Sequence, residues 1–589
     1  MKLNNKKVLA MFLVSVFSFS CSAQSPTSIS LPSYNNDKNA PGDTTTTTTT
    51  TTAQESPVAS SAPQATTTTT TTMPTSVAAS AYPAASATPA PSASSAPSLT
   101  AGATSDMQFM PKPNPNITNE LAILPTRANT EEYSKLIENK FLNSLLNPLS
   151  TFSIDVDTAS YSNIRRFLNM NQMPPKDSVR IEEMINYFSY DYPQPTDNTP
   201  FSINMEMIKS PWKEGNKVVS IGLQGKKVSK ENLPPSNIVF LIDTSGSMYD
   251  VNKLPLLKQS FALLVKDLRE EDRVSIVTYA GSAGVKLEST SGANKSKILA
   301  SLDSLEASGS TAGGEGINLA YKIAQDNFIK SGNNRVILAT DGDFNVGVSS
   351  ETDLVNLIEQ KRNEGVFLSV LGFGMGNYKD GKMEKLADKG NGNYAYIDTF
   401  NEAKKVFGNQ LTGTLLTIAK DVKLQVKFNT DKVKSYRLIG YENRALANED
   451  FANDKKDAGE LGAGHTVTAL YELEMNSAQS QTSTSNGFQN NDLIEVNLRY
   501  KEPKEDQSRL IVKTLNESQL ESNSNTINFA TSVAGFGMLL RDSEFKGNTN
   551  YSNILEMAKK YKGQDVEGYR QEFIDLVSKI NNNPNFFRY

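Results

Sequence analysis

The pentapeptide Asp243-Thr-Ser-Gly-Ser247 follows directly on the apolar run Ile238-Val-Phe-Leu-Ile242. A carboxylate and two hydroxyls are thereby delivered together at the carboxyl end of an expected strand, where open α/β sheets bind ligands. These oxygens are hard donors, suited to Mg2+ or Mn2+ and poorly suited to softer metals.

Other chemistries find less support. The chain has one histidine, His465, and no Gly-x-Ser-x-Gly elbow surrounds Ser245 or Ser247, so a Ser/His/Asp hydrolase lacks both its base and its turn. One histidine and one cysteine, Cys21, leave too few ligands for an ordinary zinc site. Asp243 stands where an aspartyl-phosphate nucleophile would, but the second Asp such enzymes place two residues on is here Ser245. No Gly-x-x-x-x-Gly-Lys-Ser/Thr loop is present to hold a nucleotide.

Asp243-x-Ser245-x-Ser247 after an apolar strand resembles the metal-ion-dependent adhesion site of von Willebrand factor A domains. Gly309-Ser-Thr311, ahead of a helix expected to begin near Gly314, matches that family's loop threonine. Thr340-Asp341-Gly342, after the run Val336 to Ala339, matches its second aspartate. The resemblance implies that Ser245, Ser247 and Thr311 hold a Mg2+ or Mn2+ ion directly or through water, while Asp243 and Asp341 balance its charge. With few carboxylates in direct contact the cation stays electron-poor, and an open octahedral position can take a Glu or Asp carboxylate from a partner protein. This implies a binding module and no enzyme. Two alternatives stay open: an interaction scaffold whose metal site is structural or silent, and a metal-dependent phosphotransfer or hydrolytic enzyme.

The elements that must position these residues are short apolar runs separated by helical patterns: Ile238 to Ile242, Val274 to Tyr279, Val336 to Ala339 and Val366 to Leu371. Continuous Val/Ile/Leu runs alternating with helices predict a mainly parallel sheet covered on both faces, a doubly wound α/β domain over residues 235–418. On either side the pattern is β-rich. Phe201 to Ile208 and Val218 to Leu223 alternate before it; Val422 to Phe428, Tyr436 to Gly440, Thr466 to Leu473, Leu493 to Tyr500 and Leu510 to Lys513 follow it. Helices are expected from Phe529 to Leu540, Tyr551 to Tyr561 and Gly568 to Ile580, and helical spacing also runs from Asn119 to Leu149. If the outer strands pair across the α/β domain, that domain is an insertion in a β-rich base, with flanking regions at 106–234 and 419–589. The segments Phe152 to Pro195 and Gly459 to Glu472 are similar to the flanks of bacterial von Willebrand factor A lipoproteins whose C-terminal region is a domain of unknown function; the resemblance covers Thr151 to Tyr589.

At the start, Lys2, Lys6 and Lys7 precede a short apolar run from Val8 to Phe19 and then Ser20-Cys21. A dozen apolar residues are too few to span a bilayer and have the build of an export signal over residues 1–20. Cys21 resembles the acylated cysteine of bacterial lipoproteins, although Ser18-Phe19-Ser20 departs from the usual lipobox. That resemblance implies a lipid anchor in the cell envelope, and the absence of an acidic residue in Ser22-Ala-Gln-Ser25 implies, by resemblance to lipoprotein sorting signals, the outer membrane. Residues 21–105 are nearly all Thr, Ser, Ala and Pro, too poor in large apolar groups to offset the entropy of ordering, and read as a disordered tether. The balance of 59 basic against 64 acidic residues, without a basic block, argues against nucleic acid as a partner.

Overall fold

The computed structural model describes residues 129–310, 313–342, 344, 350–410, 416–477, 487–489, 491–517, 522–583 and 585–586. Ahead of the central domain come β1 (Leu142–Asn143), β2 (Leu149–Ser153), α1 (Ala159–Asn169), α2 (Ile181–Asn186), β3 (Phe201–Lys209) and β4 (Lys217–Gly225). The helical spacing read between Asn119 and Leu149 forms no helix in its described part. Residues 129–141 carry one isolated bridge, and β1 follows. The segment is tied down strand-fashion by its neighbours, and tertiary pairing overrides local periodicity.

The central domain contains β5 (Ser236–Asp243), α3 (Leu254–Asp267), β6 (Arg273–Tyr279), β7 (Ala283–Ser291), α4 (Lys295–Asp303), α5 (Gly313–Asp326), β8 (Asn333–Thr340), α6 (Glu351–Asn363), β9 (Val366–Phe373), α7 (Asp380–Lys389), β10 (Tyr394–Ile397) and α8 (Phe400–Lys404). Its sheet has the order β10-β9-β8-β5-β6-β7, parallel throughout except for β7, which closes the edge against β6. The apolar run of β5 divides between two cores, as strand alternation requires. Ile238, Phe240 and Ile242 pack with α3, α4 and α8, whereas Val239 and Leu241 pack with α5, α6 and α7.

After it come β11 (Thr417–Phe428), β12 (Val433–Ile439), β13 (Ala445–Leu446), β14 (Gly459–Gly462), β15 (Thr466–Met475), β16 (Asp492–Lys501) and β17 (Ser508–Asn516). The chain then continues through α9 (Asn525–Arg541), α10 (Tyr551–Lys560) and α11 (Tyr569–Asn582). The expected pairing across the insertion is present: β4 runs antiparallel to β15, with Ile221 opposite Ala469, and β2 runs antiparallel to β11, with Phe152 opposite Leu424. The base is therefore a sandwich of two sheets, β1-β12-β15-β4-β3 and β13-β2-β11-β16-β17, around a core that includes Phe152, Ile221, Leu424 and Tyr471. The outer face of the first sheet offers Ile208, Val218, Ile439 and Leu470 to α1, α2 and the three C-terminal helices. On α11, Phe573, Leu576, Val577 and Ile580 are buried at helical spacing.

Ion pairs join base to insertion. Buried Arg165 of α1 reaches Asp398, Glu402 at 2.7 Å and Glu572 at 2.8 Å, so one guanidinium links the end of the α/β domain to the last helix. Arg180 meets Asp380 at 2.8 Å and Glu384 at 2.9 Å on α7.

Candidate metal centre

The direction of winding reverses at β5. From it the chain moves outward through β6 and β7, then returns to place β8 on the other side and continues to β9 and β10. The carboxyl ends of β5 and β8 thus flank the switch point, where a crevice forms in sheets of this kind. Asp243 is the last residue of β5, and Asp341 immediately follows β8.

Asp243 is fully buried. Its Oδ1 accepts the Ser245 N–H at 2.9 Å, and its Oδ2 accepts the Thr340 hydroxyl at 3.3 Å. Ser245 Oγ and Ser247 Oγ are 3.0 Å apart. Asp341, equally buried, is hydrogen-bonded by the Ser247 and Asn377 side chains, so the four oxygen-bearing residues form one connected group. Thr311 lies outside the described residues, as does Cys21. The loop leading to Thr311 is nevertheless fastened to the pentapeptide: Gly246 N–H donates to Gly309 O at 3.0 Å, and Ser308 N–H to Thr244 O at 2.7 Å. Gly309 adopts a φ of +80°, a region that favours glycine.

One member of the site escaped sequence reading. Lys253, at the start of α3, is buried, and its Nζ lies 2.9 Å from Asp341 Oδ2. A lysine ten residues beyond Asp243 gives no signal of this, because only the fold shows that the helix start faces β8. The two carboxylates consequently differ. Burial pushes Asp243 up to about 6, helped by the neighbouring charge of Asp341 and opposed by Ser245. Burial also acts to raise Asp341, but Lys253, Ser247 and Asn377 outweigh it and hold the group below the ordinary carboxylate range.

This donor set fits a hard divalent cation: two carboxylates and two hydroxyls converge, and Asp243 has no cationic partner of its own within the group. Among the described residues no cluster of three or more His, Cys, Asp or Glu is arranged for a metal, so the donors for a softer ion are not assembled there. His465 lies outside this group and lines a cavity of about 460 Å3 between the α/β domain and the base, together with Arg335, Tyr394 and Glu460. Its imidazole is pushed down to about 4 by burial and by Lys405, and its backbone is held by bonds to Gly462 and Gly225.

A doubly wound domain with this sheet order, carrying the Asp-x-Ser-x-Ser group at its switch point, is a von Willebrand factor type A domain, and residues 237–409 match the family of that description. Residues 127–220 match the family described as von Willebrand factor, and residues 413–582 the one described as uncharacterized protein YfbK, C-terminal. The chain belongs to the family of the uncharacterized protein YfbK of Escherichia coli (strain K12), to which it is 43% identical over 464 residues, covering 76% of this chain and 80% of that protein. The uncharacterized protein sll0103 of Synechocystis sp. is 27% identical over 190 residues, 32% of this chain and 43% of that protein. Among solved structures, the von Willebrand factor type A protein from Catenulispora acidiphila aligns with a TM-score of 0.39 at 15% identity, covering 66% of this chain and 92% of that one.

Proposed function

We propose that the chain is a binding module of the bacterial cell envelope, anchored through a lipid on Cys21. In this reading it uses Mg2+ or Mn2+, held by Asp243, Ser245, Ser247, Thr311 and Asp341, to capture a Glu or Asp carboxylate of a partner protein. The observation that carries this reading is the pair of buried carboxylates facing one crevice, of which Asp341 has an ammonium partner and Asp243 has none in the group. Two such charges side by side repel, and a divalent ion between them removes the repulsion while keeping coordination positions for a further oxygen. Among the described residues no helix is long and apolar enough to cross a membrane; attachment in this proposal is left to the acylated cysteine.

The test is titration of the full chain with Mg2+ and Mn2+ by calorimetry, beside an Asp243→Ala variant whose fold is checked by circular dichroism. One bound cation, lost in the folded variant, is the expected result. Equal binding by both proteins would sink the assignment.

A further inference from the structure

The cavity that His465 lines lies where the α/β insertion meets the base, and its volume of about 460 Å3 is that of a small-molecule site, which such junctions often hold. Among the described residues it shares none with the metal centre. Its lining carries both signs of charge.

One part is anionic. Asp155, Asp157 and Asp388 line the cavity together with Arg444, whose guanidinium nitrogens lie 3.8 Å from Asp155, 3.5 Å from Asp157 and 2.7 Å from Asp388. The same guanidinium also meets Glu384 at 3.0 Å. The lysines in the lining are engaged elsewhere, Lys389 with Glu359 and Lys456 with Asp450. One cation thus serves three carboxylates, and negative charge is left over. Asp388 Oδ1 is buried with no hydrogen-bond partner among the described residues, an acceptor that costs free energy until a donor reaches it. Burial pushes Asp388 up to about 7, with Asp155 and Glu384 adding to the effect and Arg444 opposing it. Asp157 is raised well above the ordinary carboxylate range by burial, Asp388 and Asp155. An ammonium group placed there relieves both.

Another part is cationic. Buried Arg335 of β8 lines the cavity, and its Nη1 donates to Ser369 Oγ at 2.7 Å. Burial pulls this guanidinium down to about 10 against the charge of Glu460, whose carboxylate accepts the Thr417 hydroxyl at 2.9 Å and the Asn391 amide at 2.7 Å. A further carboxylate beside Arg335 favours its charged form and matches its planar fork. Ile337, Leu371 and Phe407 give the same cavity apolar surface.

We propose that this cavity binds a short zwitterion, with an ammonium group for Asp155, Asp157 and Asp388, a carboxylate for Arg335, and an aliphatic body against Ile337, Leu371 and Phe407. Free amino acids and di- or tripeptides share that chemistry. A lone amine or a lone acid satisfies only one of the two poles.

The test is calorimetric titration of the full chain with leucine and with leucyl-leucine, each beside its N-acetyl form, which lacks the ammonium, and its amide, which lacks the carboxylate. The zwitterion is expected to bind roughly ten- to a hundredfold more tightly than either blocked form, the worth of one charged hydrogen-bonded contact. Tighter binding of leucine would assign free amino acids as the source, and tighter binding of leucyl-leucine short peptides. Arg335→Gln should weaken the zwitterion and leave the amide unchanged, whereas Asp388→Asn should weaken the zwitterion and leave the N-acetyl form unchanged. A variant that fails to fold loses every probe alike, and the wild-type series then decides alone. Blocked forms that bind as well as the zwitterion, or no binding of either zwitterion at concentrations on the order of millimolar, would overturn the proposal.

Discussion

Lys253 Nζ lies 2.9 Å from Asp341 Oδ2, with the two side chains 3% and 0% exposed. The helix that begins beside the Asp-x-Ser-x-Ser loop therefore carries a cation of its own into the centre, and half of the site's negative charge is balanced before any metal arrives. Removing one partner of such a buried pair leaves an uncompensated charge and costs about 3–5 kcal/mol.

Lys253→Met should accordingly lower the urea midpoint of the metal-free protein by an amount corresponding to about that cost. Saturating Mg2+ should restore most of it, because the divalent ion takes over the role of the ammonium, and the variant should bind Mg2+ more tightly than the wild type. An equal loss with and without Mg2+ would make the pair a purely structural one.

Gly374 holds a φ of +75° with the Lys253 stem against its Cα, where a Cβ would fall within 2.3 Å of Cε. Gly374→Ala should cost about 1–2 kcal/mol from the left-handed backbone alone and more from the displaced lysine. In a Lys253→Ala background the second contribution should vanish, so a double-mutant cycle on urea midpoints reads the contact directly. Strict additivity would show that the two residues do not press on each other.

Arg165 gathers Asp398, Glu402, Glu572 and the Tyr187 hydroxyl, the last at 2.9 Å. Arg165→Met leaves three carboxylates around an apolar stem and should destabilise the protein by about 3–5 kcal/mol, measured by urea unfolding. Glu572→Gln, at a position already about one-third exposed, should cost far less than Glu402→Gln, whose carboxylate is buried. The reverse order would place the weight of the junction on the last helix.

Glu183 is pushed up to about 8 by burial, with Glu384, Asp380 and Glu182 adding to the effect and Arg180 opposing it. Its folded value exceeds the ordinary 4.5, so the folded state binds the extra proton between these limits. The associated stability is complete below about 4.5 and is lost as pH rises through about 8. Glu182, raised to about 7 by burial and by Glu442 against Arg541, acts in the same direction. Melting of the metal-free protein should occur at higher temperature at pH 6 than at pH 8, and Glu183→Gln should flatten the slope. Lys405, pushed down to about 7 by burial, works oppositely above that pH, which is why the comparison with Glu183→Gln carries the test. A wild-type melting temperature that climbs from pH 6 to pH 8, unchanged in slope by the substitution, would refute it.

The central strands were legible because a strand buried on both faces must be apolar throughout, and Ile238 to Ile242 is. Asp243, Ser245 and Ser247 were legible because three donors fall within five residues. Strand β7 was not, since its residues Gly284, Lys286 and Glu288 are polar or small and exposed at the sheet edge. Lys253 was hidden for another reason: its partner is 88 residues away, and nothing local distinguishes a buried lysine from a solvated one at a helix start. The segment at 129–141 misled through apolar spacing, with Ile137 left exposed, because it is held by bonds to distant residues: Thr130 and Glu132 to Gly376 and Tyr378, Leu136 to Asp177 and Asn139 to Gly440.

The strand pairs that close the base join residues synthesised early to residues synthesised late, Phe152 to Leu424 and Ile221 to Ala469. A ribosome completes β2 and β4 well before their partners exist, and in that interval their apolar faces have nothing to pair with and are open to wrong neighbours. About 190 residues separate Gly225 from Thr417, and closing a loose loop of that length carries an entropic penalty that a folded domain largely removes. The α/β insertion, assembled from sequence-local βα units, can fold while the rest is still being made. Once folded, it links the two halves of the sandwich in place of a loose loop.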